Sequence, residues 1–141
     1  MPASITGMEK ILIDSSVWVS YLAIDSNSKK AIKLFDFIYD QKSIKIKVPE
    51  IIFLEVINSL IKLHRPKKEI QNFKNTFKLK TRFQLVKTDK KIYRKAARVA
   101  KRIRLKTLDL LILTSALHLK VDHLYTFDKK LQKAYKFTKN L

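Results

Sequence analysis

The sequence predicts an α/β fold, a three-layer arrangement in which a parallel sheet of four or five short strands is flanked by helices. Two observations carry this expectation. Short apolar or alternating runs suited to strands, KILI at Lys10–Ile13, SIKIKV at Ser43–Val48, RFQLV at Arg82–Val86 and DHLYTF at Asp122–Phe127, are spread along the chain. Between them lie segments whose apolar residues recur at helical spacing. Strands that alternate with helices favour parallel pairing, because each helix carries the chain back to the start of the next strand.

KILI is closed by Asp14-Ser15-Ser16, residues suited to starting a helix. Ala31, Leu34, Phe35 and Ile38 fall at i, i+3, i+4 and i+7 and share one helix face, with Lys33, Asp36 and Asp40 elsewhere around it. SIKIKV alternates as a half-buried strand does, and Pro49 opens a helix at about Glu50, since its fixed φ suits a first turn. That helix should run to about Leu63 and stop before Pro66, which lacks an N–H and clashes with the preceding turn. Further helices are expected over Lys67–Phe77, Asp89–Arg104, Thr107–Leu119 and Asp128 to about Tyr135. The last segment, KKLQKAYKFTKNL, carries only a faint signal of a final edge strand.

Length and composition bound the function. The 141 residues are 46% hydrophobic, enough for the core of one domain. Residues 1–7 carry neither charge nor periodicity and are followed by a second methionine, Met8. They are expected to be an added leader, with a single domain over 8–141. No apolar run approaches the ~18 residues of a membrane span, so no membrane partner is expected. The absence of cysteine excludes disulfides, thiolate metal sites and a cysteine nucleophile, and fits a cytoplasmic location. The lone glycine, Gly7, excludes phosphate-binding Walker loops and dinucleotide fingerprints, which need close backbone approach or positive φ. Thirty-one lysines and arginines against twelve aspartates and glutamates leave a net charge of +19. Such a charge suits a nucleic-acid partner or a lysine-rich solvated surface.

Because acids are scarce, their positions carry information. Asp14 ends KILI, Glu55 interrupts IIFLEVI, Asp109 sits in LDLLIL and Asp128 follows LYTF. Each has a plainer explanation. Asp14 and Asp128 suit helix N-caps, worth ~1 kcal/mol each, and Asp109 lies two residues after a plausible Thr107 cap, where the helix dipole favours an acid. Glu55 is harder to place in this way, since a carboxylate among Leu54, Val56 and Ile57 needs a partner or a metal. The topology puts all four at the carboxyl edge of the sheet, where ligand sites of such folds lie. Four carboxylates brought together take up protons unless a cation compensates. Oxygen ligands select a hard ion, Mg²⁺ or Mn²⁺, and such an ion in a basic protein suits phosphodiester chemistry.

The ordered set ILIDSS, PEIIFLEVINSL, TLDLLILTSAL and LYTFDKKL resembles the PIN-domain nucleases, most of all the VapC-like ribonuclease toxins of VapBC-type toxin–antitoxin pairs. The match covers nearly the whole chain from Met8. The resemblance implies a Mg²⁺- or Mn²⁺-dependent endoribonuclease with Asp14, Glu55, Asp109 and Asp128 as catalytic metal-holding acids, and water activated at the metal as nucleophile. It implies orienting roles for Ser15, Asn58 and Thr126, a homodimer, an RNA substrate and a small VapB-like antitoxin.

Lys106 stands just before the Asp109 helix and is the basic residue expected nearest the scissile phosphate. Lys91, Arg94, Arg98 and Lys101 form a stripe opposite the inward Ile92, Ala96, Val99 and Ile103, which suits an RNA track or a solvated face equally. His64, His118 and His123 share no ligand spacing, and Ser15 and Ser16 lack a base in any hydrolase pattern. Trp18 and Tyr21 are expected in the core or at a dimer contact. Two alternatives stay open: a PIN nuclease of ribosomal RNA maturation or RNA decay without an antitoxin, and a PIN domain that binds RNA without cleaving it.

Overall fold

The computed structural model describes residues 10–78 and 82–140, so the leader expected over residues 1–7 lies outside the described residues. The elements run β1 (Lys10–Ile13), α1 (Ser15–Leu22), α2 (Ser28–Asp40), β2 (Lys45–Pro49), α3 (Glu50–Lys62), α4 (Lys67–Thr76), β3 (Phe83–Val86), α5 (Lys90–Ala100), α6 (Thr107–His118), β4 (His123–Tyr125) and α7 (Lys129–Lys139). The strands form one sheet in the order β3-β2-β1-β4 with every pairing parallel. Ile11 is registered with Ile46 on one side and His123 on the other, so β1 is a central strand. A central parallel strand is covered on both faces, and Ile11, Leu12 and Ile13 are all fully buried.

The α/β expectation holds, with differences at element ends. Helix α5 stops at Ala100, and Ile103 and Leu105 pack on the core from the extended segment that follows. Helix α7 runs through to Lys139, so KKLQKAYKFTK is helical and the sheet has four strands among the described residues. Its Leu131, Ala134 and Tyr135 are buried at helical spacing, and that period overrides the faint strand signal. Thr107 is not a cap: Lys106 holds the N-cap position of α6 and makes no side-chain cap bond.

Helix α1 packs on α2 and α3, α5 on α6, and α6 on α7. Trp18 of α1, 2% exposed, is the centre of an aromatic cluster. Its ring lies 4.8 Å from Phe35, 5.3 Å from Phe73, 6.1 Å from Phe77 and 5.7 Å from Phe83, centroid to centroid. Trp18 is thus a core residue that ties α1 to α2, α4 and β3. This clamp holds the helix whose N-cap is Asp14.

Two helices end in left-handed turns without glycine. His64 (φ 54°) and Lys120 (φ 51°) occupy the position that favours it. The Arg65 N–H donates to Leu60 O and the His64 N–H to Ile61 O; after α6, Val121 N–H donates to Ala116 O and Lys120 N–H to Leu117 O. Both are Schellman caps, which satisfy the last helix carbonyls and turn the chain toward the next element.

Candidate metal-dependent active site

Three helix starts and the middle of a fourth helix converge beyond the carboxyl ends of β1 and β4. Asp14 follows β1, and its backbone N–H donates to Tyr125 O at 2.8 Å, coupling the two strand ends. Its side chain is 4% exposed and saturated with donors. Oδ1 accepts from the Ser15 N–H at 2.8 Å, while Oδ2 accepts from Thr126 Oγ1 at 2.7 Å and Ser16 Oγ at 3.0 Å. These bonds fix the carboxylate in one rotamer. Thr126 Oγ1 also accepts from the Asp128 N–H at 3.1 Å, and Ser16 Oγ from the Phe127 N–H at 3.1 Å. The turn from β4 into α7 is therefore strapped to the start of α1. Asp128 is the exposed N-cap of α7, its Oδ1 accepting from Lys130 and Leu131 N–H groups. The capping and site explanations for Asp14 and Asp128 are compatible, since each carboxylate caps a helix and stands at the same sheet edge.

Glu55 and Asp109 report the field of this group. Burial, then the charges of Asp14 and Asp109, push Glu55 up to about 7, with the Ser15 hydroxyl pulling the other way. Glu55 Oε1 is buried without a hydrogen-bond partner, the unsatisfied state that the apolar flanks of this acid predict. Asp109 is also raised, first by burial and then by Asp128 and Asp14; Lys106 and Lys130 oppose the shift. All four carboxylates thus lie within electrostatic reach of one another, and two lysines border them.

The chemistry of this donor set fits a hard divalent cation. It is all oxygen, its charges repel, and one buried oxygen lacks a partner. Among the described residues, however, no three histidine, aspartate or glutamate side chains close on one point as a ready ligand cage. The carboxylates share a field without converging, so contact with an ion needs side-chain movement or intervening water. Asp14 and Asp109 are the acids best placed to hold it directly, with Asp128 and Glu55 completing the shell.

The remaining expected site residues divide. Ser15 and Thr126 join the carboxylates, as does Lys106 by its effect on Asp109. Asn58 is exposed on α3 and no hydrogen bond ties it to the acids. Arg94 and Arg98 are exposed on α5, but Arg98 borders a groove with Leu117 and Thr138. Leu117 lies eight residues beyond Asp109 on α6, about 12 Å along the helix at 1.5 Å per residue. Arg98 therefore stands at the far end of α6 from the acids. Ser16 and Lys130 were missed, although ILIDSS and TFDKK place each beside a singled-out acid. The three histidines take no part.

The family model for the PIN domain matches residues 11–137. The chain belongs to the PIN-domain family. Solved structures share the fold of this PIN domain at low sequence identity. VapC20 of Mycobacterium tuberculosis, described as a toxin that cleaves the sarcin–ricin loop, superposes with a TM-score of 0.72 at 15% identity, over 88% of this chain and 94% of its own. FitAcB of Neisseria gonorrhoeae gives 0.68 at 16% identity, covering 89% and 93%. VapBC2 of Rickettsia felis, solved on a DNA fragment from its promoter, gives 0.63 at 16%, covering 89% and 92%. No curated protein matches the chain by sequence.

Proposed function

We propose that this PIN domain is a Mg²⁺- or Mn²⁺-dependent endoribonuclease and the toxin of a toxin–antitoxin pair. The observation that carries the chemistry is the group of four carboxylates with Glu55 raised to about 7 and one orphaned oxygen. When bound, the ion would polarise the phosphate and lower the pKa of water. The chain's own residues do the rest. Ser15, Ser16 and Thr126 hold Asp14 with its lone pairs directed. Glu55, poised near neutrality, is suited to taking a proton from water. Lys106 and Lys130 attract the phosphate and offset the acids' repulsion. No 2′-hydroxyl is required, so the products would carry 5′-phosphate and 3′-hydroxyl ends.

The toxin assignment is supported by the fold shared with VapC20 and with the complexes VapBC2 and FitAcB. A small antitoxin protein and a cytoplasmic location belong to the same proposal. Among the described residues no helix is long and apolar enough to cross a membrane. A homodimer is proposed with it, supported by Leu54 and Ile61, 66% and 56% exposed one above the other on α3.

The lack of a converged ligand cage favours one alternative, RNA binding without turnover. One experiment separates the two: purified protein is given a mixed RNA pool with Mg²⁺, beside Asp14→Asn. Cleavage should need the metal and fall by about 100-fold or more in the variant, beyond the 10–100-fold cost typical of residues that only support a metal site. Equal activity in both proteins would sink the assignment, and binding without cleavage in either would establish the alternative.

A further inference from the structure

A cavity of about 350 Å³ adjoins the carboxylates, lined by Val17 of α1, Lys30, Lys33 and Leu34 of α2, and Tyr125, Thr126 and Phe127. Thr126 is shared with the acid group, since its hydroxyl bonds Asp14. The cavity thus opens one residue from the proposed reaction centre, on the side away from Lys106 and α6. Its floor is apolar, with Val17 and Leu34 almost fully buried, and Phe127 is half-exposed. Two exposed lysines one turn apart on α2 stand at the rim. Tyr125, whose hydroxyl is buried without a hydrogen-bond partner, forms part of the wall.

We infer that this cavity receives one nucleotide of the RNA strand, the neighbour of the scissile phosphate, with its base against Phe127, Val17 and Leu34 and its phosphate between Lys30 and Lys33. The size suits a small organic group. An aromatic ring beside aliphatic side chains suits the flat face of a single-stranded base, and the paired lysines suit the phosphate that every nucleotide carries. The carboxylate group is negative and cannot grip the strand without a cation, so an adjacent cationic, apolar recess supplies the hold that the reaction centre lacks. That the nucleotide is next to the cut rests on the nuclease proposal; that the cavity binds a nucleotide does not.

The test is binding in EDTA, where cleavage cannot interfere. A fluorescein-labelled eight-nucleotide single-stranded RNA is titrated by anisotropy against the wild-type protein, Lys30→Ala/Lys33→Ala, and Lys68→Ala/Lys74→Ala, which removes the same charge from exposed positions on α4. The α2 pair should weaken binding by about tenfold or more and reduce the slope of log K against log salt by about 1.4, roughly 0.7 for each lost phosphate contact. The α4 pair should do neither. Equal losses in both pairs, or none in the α2 pair, overturn the inference. A second arm compares AMP with inorganic phosphate by titration of the amide spectrum. Shifts centred on Thr126 and Phe127 with AMP, abolished in Phe127→Ala, are expected, whereas phosphate binding as tightly as AMP overturns the nucleotide assignment. Normal metal-dependent cleavage by wild type with unchanged RNA binding in the α2 pair would reject the cavity and leave the nuclease proposal standing. The opposite pattern would reject the nuclease and keep the cavity.

Discussion

Asp14 combines roles that the chain alone leaves as alternatives. It caps α1, joins β1 to β4 and faces the other acids, and the same hydrogen bonds serve each purpose. Thr126 is its main support, bonding both the carboxylate and the Asp128 N–H. Thr126→Val keeps the shape and deletes the hydroxyl, so it should cost about 1–3 kcal/mol of stability, as unsatisfied buried partners do. Urea unfolding measures this, and a loss below the error of the method would show the strap to be unimportant. Glu55 provides a pH signature. A carboxyl at about 7 in the folded chain and 4.5 ordinarily holds more protons folded than unfolded between those values. Stability of the metal-free protein should therefore fall as pH rises from about 4.5 to about 7. Glu55 is half-buried, so solvent screening limits the loss to about 1 kcal/mol. Glu55→Gln should flatten the profile in EDTA, and Mg²⁺ should restore the melting temperature of wild type at pH 8 by binding the folded state. Parallel pH profiles for the two proteins would show that Glu55 does not feel the other acids. The positions of these residues were legible in the chain, because an acid at a strand end or within an apolar helix is conspicuous. Their partners were not, since the bond from Thr126 to Asp14 spans 112 residues.

Among the elements, β1 and α6 were the easiest to read, because a buried strand and a wholly apolar helix each interrupt a lysine-rich chain. Element ends were less legible. Helix α5 could not be stopped at Ala100 from periodicity, since Ile103 continues the apolar spacing and yet packs from an extended segment. The extension of α7 was similarly hidden, because Phe137 and Thr138 suit a strand in isolation and only the burial of Leu131, Ala134 and Tyr135 settles their period. The two glycine-free caps yield a prediction. A residue with a Cβ in the left-handed region costs roughly 1–2 kcal/mol relative to its ordinary conformation, whereas glycine does not. Lys120→Gly should therefore raise stability by about 1 kcal/mol in urea unfolding, despite glycine's larger entropy loss, and His64→Gly by a similar amount. Destabilisation by both would mean that His64 and Lys120 make compensating contacts.

Across the molecule, positive charge and apolar surface are arranged by the fold and not by the order of residues. Lys106 and Lys130 are 24 positions apart in the numbering and act on one carboxylate, whereas Arg98, eleven before Asp109, is carried to the far end of α6 by the extended segment between the helices. Leu54 and Ile61 leave an apolar strip on α3 that the core does not cover. If it is the dimer contact, Leu54→Asp should give a monomer in light scattering at micromolar protein without lowering the melting point by more than dissociation explains. An unchanged mass would place the dimer contact elsewhere or exclude it. Composition and local pattern were sufficient for the α/β class, the order of elements, the four acids and the exclusion of glycine-loop and thiolate chemistry. These are properties of short windows, and a period or a misplaced charge is visible within a few residues. The sheet order, the strapping of Asp14, the elevation of Glu55 and the cavity behind Thr126 depend on which distant segments meet. That outcome is set by packing around Trp18 and by the pairing of β1 with β4, interactions between segments separated by many turns of chain.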